Sequence, residues 1–192
     1  MTTATVSRPV AAAPRLAAID PAAAQGKAKT LLTAVNAKLG LTPNMMRTMA
    51  QSPAVLDAYL AFSGALAGGV LSGPVREQIA LTVGEANGCG YCVAAHSALG
   101  KLAGLDAVQI NAARTGAAAD PKTGAILALA TAVTRHKGNV PDAALAAART
   151  AGVTDPEIAE VVANVALNIL TNYFNELAHT TVDFPAAPAL TR

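Results

Sequence analysis

The chain has 192 residues, a formal net charge of +2, and a composition that is 53% hydrophobic but only 3% aromatic, with no tryptophan. That length suits one domain with a real core, and its scattered lysines and arginines, without interleaved aromatics, exclude a nucleic-acid surface. No run reaches the roughly 18 uncharged apolar residues of a membrane span, since the nearest, Val55 to Leu71, is broken by Asp57 and by glycines.

Helix starts stand out along the chain. Asp20-Pro21, Ser52-Pro53, Asp120-Pro121 and Asp155-Pro156 each set a capping side chain before a proline. Such a proline loses no helical hydrogen bond in the first turn, and its φ is preset. Glycines at 40, 68–69, 104, 116, 138 and 152 mark the stops. Between these signals apolar residues recur at helical spacing: Leu31, Leu32, Val35 and Leu39; Ile126, Leu127, Leu129, Ala130 and Val133; Ile158, Val161, Val162, Val165, Ala166 and Ile169. No segment alternates with period two. The expectation is a compact all-α fold without a sheet. Its helices number about eight, over 21–39, 53–67, 74–87, 89–102, 106–115, 121–137, 141–151 and 156–179, and 43–50 is a weaker candidate. One domain spans 19–184, between a flexible tail over 1–18 and a C-terminal arm over 185–192. Alanine favours helix but fills little core volume. Helices must therefore approach closely, and a homo-oligomer is expected to complete the core.

The chemically pointed stretch is Asn87-Gly88-Cys89-Gly90-Tyr91-Cys92-Val93-Ala94-Ala95-His96, which holds both cysteines and one of the three histidines. Thiols three residues apart can close into a disulfide with little movement. An imidazole four residues after the second thiol stands one helical turn along the same face. Asn87-Gly88 is a turn signal, so Cys89 falls near a helix N-terminus, where free N–H groups and the dipole favour thiolate. His96 is placed to take the proton of Cys92 or to stand beside its thiolate as a cation. Glu77 and Glu85 are the candidate carboxylates to orient the ring, and the residues alone do not choose between them. Met1 to Ala18 lacks the apolar stretch of a secretory signal. Two close cysteines without such a signal point to redox or metal chemistry in a reducing cytoplasm.

Other readings compete. The two thiols can be inert core residues, or they can join His96 as three ligands of a metal. Asn164, Asn168, Asn172 and Asn175 recur at three- and four-residue spacing. They read first as a solvated or interface stripe, and second as amides orienting the active-site glutamate or a water. His136 and His179 stand at helix ends, where dipole or surface roles suffice.

The set Glu77, Cys89, Cys92 and His96 resembles the core motif of the alkyl hydroperoxidase D-like branch of the carboxymuconolactone decarboxylase family. The flanking runs Arg76 to Leu81, Glu85 to Cys89 and Asn168 to Asn175 are similar to that branch too. The likeness covers roughly Pro21 to Pro185. It implies a compact all-α fold assembling as a trimer or hexamer, and a cytoplasmic thiol-dependent peroxidase that needs no cofactor and no metal. By resemblance, Cys92 attacks a hydroperoxide and becomes a sulfenic acid. Cys89 then condenses with it to a disulfide, and Glu77 and His96 relay the proton. An external dithiol or a peroxiredoxin-type partner restores the thiols. Tyr91 departs from the pattern, because a second histidine stands there in the branch. A phenol is a poor base at neutral pH, so proton relay is left to His96 and Glu77. The family's decarboxylases generally lack the dithiol, so decarboxylation is disfavoured. The alternative function is a redox sensor or scaffold whose dithiol oxidises once and changes assembly.

Overall fold

The computed structural model describes residues 13–190, so 1–12 of the expected tail and 191–192 of the expected arm lie outside the described residues. Within them are nine helices and no strand: α1 (Gly26–Leu39), α2 (Asn44–Met49), α3 (Pro53–Ala67), α4 (Gly73–Ala86), α5 (Gly90–Leu102), α6 (Ala107–Arg114), α7 (Pro121–His136), α8 (Asp142–Thr150) and α9 (Asp155–Ala178). The weak candidate over 43–50 is a helix. Its buried face is Met45, Met46, Thr48 and Met49, three methionines that pack well but carry little periodic signal over so short a run.

The expected start at Pro21 is displaced to Gly26. Asp20 accepts from the Ala22 N–H and its carbonyl from the Ala23 N–H, which closes a turn rather than a helix. Asp120 caps α7 as expected, accepting from the Thr123 N–H. Ser52 makes no side-chain cap. At α9 the cap is Thr154, not Asp155. Thr154 and Glu157 form a reciprocal capping box that leaves Asp155 inside the first turn. Arg15 and Leu16 donate their N–H groups to the carbonyl of Ala178, so this part of the expected tail lies against the end of α9.

The centre is α4, which packs against α5, α6, α7 and α9. Its residues Gln78, Ile79, Ala80, Leu81, Thr82, Val83 and Gly84 are buried in unbroken succession. A helix buried all round must be an internal one. One apolar cluster joins Leu81 and Val83 to Leu127, Ala130, Val161 and Val165. A second joins Leu32, Met49 and Leu56 to Tyr91, Cys89 and Cys92, so the dithiol stands in the wall of a core.

Of the expected apolar stripe on α9, Val161 and Val165 are buried and Ile158 and Ile169 pack against the core, whereas Val162 and Ala166 are exposed; Leu170, Tyr173 and Leu177 are exposed beside them. The inward face is completed by Asn164, Asn168, Asn172 and Asn175, each at most 5% exposed. This corrects the reading of a solvated stripe: the amides line the interior beside the dithiol. No helix among the described residues is long and apolar enough to cross a membrane.

Leu127 is fully buried and Leu102 is 85% exposed. Leu127→Ala is expected to cost about 2–5 kcal/mol, through lost transfer energy and a cavity. Leu102→Ala should stay within about 0.5 kcal/mol. Chemical denaturation followed by circular dichroism checks both.

Candidate active site

The site is built on the hairpin of α4 and α5. Helix α4 closes with Gly88 in the left-handed region (φ +69°), while the Cys89 N–H reaches the Gly84 carbonyl and the Gly88 N–H the Glu85 carbonyl. That is a Schellman closure, and only glycine takes its conformation without strain. It turns the chain within three residues, so α5 runs back along α4. The two helices touch closely at Gly84, where a Cβ would lie 3.4 Å from Val93 Cγ2 and 3.6 Å from Cys92 Cβ. Two turns back, Glu77 Cβ lies near Gly100. This antiparallel register carries the Glu77 carboxylate to His96, with Nδ1 and Oε2 2.7 Å apart. Both side chains remain 22% exposed.

The choice between the two glutamates is thereby made. Glu85 pairs with Arg114 at 2.8 Å, and Arg114 also donates to the carbonyl of Pro188. Glu77 alone orients the imidazole.

Cys89 is the N-cap of α5, its sulfur accepting from the Cys92 N–H at 3.3 Å. The two thiols are free, and Cys89 Sγ donates to Cys92 Sγ at 2.6 Å. The helix-terminus argument pointed to Cys89 as the thiolate. The structure gathers donors on Cys92, the sulfur that the resemblance names as the nucleophile. The hydrogen bond from Cys89 is the largest cause of a Cys92 pKa held well below the ordinary 9.0. Burial opposes it, and the His96 charge and the amide of Asn175 add to it. Cys89 is pushed the other way, first because it spends its proton on Cys92 and then by burial. Two thiolates this close in a buried site would repel too strongly to coexist. Burial also works against a charged His96, but the Glu77 carboxylate and the Cys92 thiolate outweigh it and raise its pKa. The arrangement thus favours an imidazolium at His96 and a thiolate at Cys92, with Cys89 as donor.

Asn175 Nδ2 approaches Cys92 Sγ at 3.3 Å. Asn172 accepts from Asn87 Nδ2 at 2.9 Å, which ties α9 to the turn before Cys89. Of the two readings of the asparagine row, the second was nearer, but the amides serve the sulfur and the turn rather than the glutamate. Tyr59 was not singled out from the sequence. It lines a small polar pocket of about 80 Å3 with Ser63, Arg76, Glu77 and His96. Its phenol is raised to about 12, by burial first and then by the charges of Glu77 and Cys92, so it stays a proton donor. The signal available in the sequence was the Tyr59–Ser63 pair at i and i+4, the polar positions of an otherwise apolar run.

Tyr91 is an anchor. Its hydroxyl donates to Asp183 Oδ1 at 2.9 Å and accepts from the Met45 N–H at 3.1 Å. Its ring meets Phe184 edge to face at 5.8 Å. Phe184 then walls an apolar cavity of about 410 Å3 that reaches Cys92 and His96 between Met45, Met46, Leu60 and Leu99. Cys89 faces another space, a cleft of about 800 Å3 lined by Glu85, Arg114, Glu176 and His179. His136 is exposed at the end of α7, and no contact joins it to the site. No group of three or more His, Cys, Asp or Glu among the described residues is arranged to hold a metal ion, so the Cys89–Cys92–His96 ligand set is not assembled.

Residues 53–125, which contain all four site residues, match the model of the carboxymuconolactone decarboxylase family. A crystal structure described as an alkylhydroperoxidase AhpD core, an uncharacterized peroxidase-related protein from Ralstonia eutropha, is 26% identical with a TM-score of 0.80, covering 88% of this chain and 92% of that one. An uncharacterized peroxidase-related protein from a Silicibacter species is 23% identical (TM-score 0.75, covering 87% and 92%) and shares the fold. So does the debrominase Bmp8 in complex with 2,3,4-tribromopyrrole, at 17% identity and a TM-score of 0.76, covering 91% and 94%. No curated protein matches the chain.

Because a lowered thiol pKa means thiolate at lower pH, the rate of Cys92 alkylation should rise with pH through a midpoint below 9.0. In Cys89→Ala, which removes the main donor and leaves one thiol to read, the midpoint is expected to move up toward 9.0. Cys89→Ser, whose hydroxyl still donates, should fall between. Iodoacetamide labelling against pH, read by mass spectrometry, measures all three.

Proposed function

We propose that the chain, whose residues 53–125 match the carboxymuconolactone decarboxylase family and whose fold is similar to an alkylhydroperoxidase AhpD core, is a thiol-dependent peroxidase that reduces organic hydroperoxides and is recycled by an external dithiol. The observation that carries this reading is the Cys92 sulfur, favoured as thiolate, with Cys89 in contact, a Glu77–His96 pair behind it and an apolar cavity in front.

In the proposed cycle the Cys92 thiolate attacks the terminal oxygen of the hydroperoxide. The O–O bond breaks, and the alkoxide leaves with a proton from the His96–Glu77 pair as an alcohol. Cys92 is left as a sulfenic acid. The Cys89 thiol condenses with it, forming the disulfide and releasing water. A dithiol then returns two electrons. Tyr59, a phenol kept protonated beside Glu77, is placed to donate to the departing oxygen. The apolar wall of Met45, Met46, Leu60 and Phe184 favours an organic peroxide over hydrogen peroxide. Self-association through the exposed α9 face of Val162, Leu170, Tyr173 and Leu177 is part of the same proposal.

Turnover of cumene hydroperoxide with dithiothreitol tests this. Cys92→Ser should fall to background. Cys89→Ser should react once and hold a sulfenic acid or a mixed disulfide. Glu77→Gln should lose about 10²–10⁴-fold in kcat/KM, the usual share of positioned proton transfer. One oxidation per chain without turnover, coupled to a change in oligomer size, would instead identify a redox sensor. Full peroxide consumption by Cys92→Ser would refute the assignment.

A further inference from the structure

The two sulfurs of one dithiol border two different spaces. Cys92 borders the apolar cavity with Met46, Leu60 and Phe184. Cys89 borders a second cleft, of mixed lining, with Arg114, Glu176 and His179. The two spaces share no lining residue. We propose that the cleft beside Cys89 is the binding site of the reductant, a small dithiol, so that peroxide and reductant reach the same dithiol from separate sides. This rests on the peroxidase reading for its peroxide half, while the reductant half stands on the geometry of the disulfide that Cys89 and Cys92 would form.

The chemistry of exchange agrees with the placement. A thiolate attacking a disulfide expels the other sulfur, and the better leaving sulfur is the one whose thiolate is more stable. Cys92 has the amide of Asn175 and the cation of His96 to receive its charge. Cys89 has only the backbone N–H of Cys92. Attack should therefore fall on Cys89, the sulfur at the second cleft. One reductant thiolate bonds to Cys89 Sγ, the S–S bond breaks, and the electron pair leaves on Cys92 as thiolate. The second reductant thiol gives up its proton and attacks its own chain's sulfur, releasing Cys89, which takes a proton. The reductant departs as a disulfide, two electrons having passed to the protein.

Cys89 is itself fully buried, but the residues on either side of it are small. Gly88 and Gly90 flank it, and a Cβ on either would meet nothing within 4 Å. A side chain at Gly90, whose φ is not in the left-handed region, would stand in open space without straining the backbone. Glu176, exposed on α9, places its negative charge toward Cys89.

The two half-reactions can be measured apart. Protein oxidised by diamide is mixed with dithiothreitol, and the return of thiols is followed by rapid quench and alkylation. Reduced protein is mixed with cumene hydroperoxide in a single turnover and quenched in the same way. Gly90→Leu is expected to slow reduction by at least about 10-fold by blocking access, with a far smaller effect on peroxide oxidation. Glu176→Gln should speed reduction by the dithiothreitol thiolate about 5-fold at low salt, and the gain should shrink as salt rises. Leu60→Trp, which narrows the other cavity, should slow the peroxide half and spare reduction. Equal slowing of both halves by Gly90→Leu, or slowing of reduction by Leu60→Trp, would overturn the two-sided arrangement. So would a Glu176→Gln rate unchanged at low salt. Failure of the peroxidase reading looks different: no oxidation by cumene hydroperoxide in the parent protein, with the reduction arm still readable from diamide-oxidised protein.

Discussion

A negative charge held on the buried Cys92 sulfur is the constraint around which the site is arranged. Such a charge is costly away from water unless it is paired and hydrogen-bonded. Here the compensation comes from three elements. Cys89 supplies a thiol donor from the head of α5, Asn175 an amide from α9, and His96 a cation from one turn along α5. The cation is itself held by Glu77 on α4. The same charge sets the division of labour. With Cys92 ionised, Cys89 is obliged to keep its proton, and the pair becomes one nucleophile and one donor rather than two equal thiols.

That arrangement depends on close approach of backbones more than on large side chains. Gly84 lets α5 lie against α4, and Gly88 reverses the chain in the fewest residues. An alanine-rich composition serves the same end: small side chains bring helices near enough for a carboxylate on one to meet an imidazole on the next at 2.7 Å. Further closure comes from the C-terminal segment. Tyr91 binds Asp183, Phe184 walls the apolar cavity, and Arg114 holds the carbonyl of Pro188. The arm and the dithiol are thus neighbours through tertiary contacts alone, about 90 residues apart in sequence, as the Tyr91–Asp183 separation of 92 records.

The long last helix reverses the usual amphipathic logic. Its asparagines face inward at 5% exposure or less, while Tyr173 and Leu177 face out. Buried amides are tolerated because most find partners: Asn164 and Asn168 donate to carbonyls one turn back, Asn172 accepts from Asn87, and Asn175 donates to Cys92. Asn172 Nδ2 and Asn175 Oδ1 have no protein partner among the described residues, and both atoms belong to the residues nearest the reacting sulfur. Polarity kept in such a place is the mark of a functional wall rather than of a packing core.

Helix content, most helix boundaries and the Cys89–Cys92–His96 set were legible in the sequence, because each rests on local chemistry: caps before prolines, glycine stops, 3.6-residue periodicity and the spacing of two thiols and an imidazole; Glu77 entered only through the family resemblance. What failed locally failed for local reasons, as when Asp20 closed a turn rather than a helix and when Thr154 took the cap expected of Asp155. Only the tertiary structure shows that the Glu77 carboxylate and not that of Glu85 reaches His96, that Asn175 reaches Cys92, and that the asparagines of α9 and the phenol of Tyr59 line the site. Those outcomes depend on which faces of distant helices meet, and on which of two adjacent sulfurs finds donors there. Spacing along one chain does not contain that information; the packing of α4, α5 and α9 supplies it.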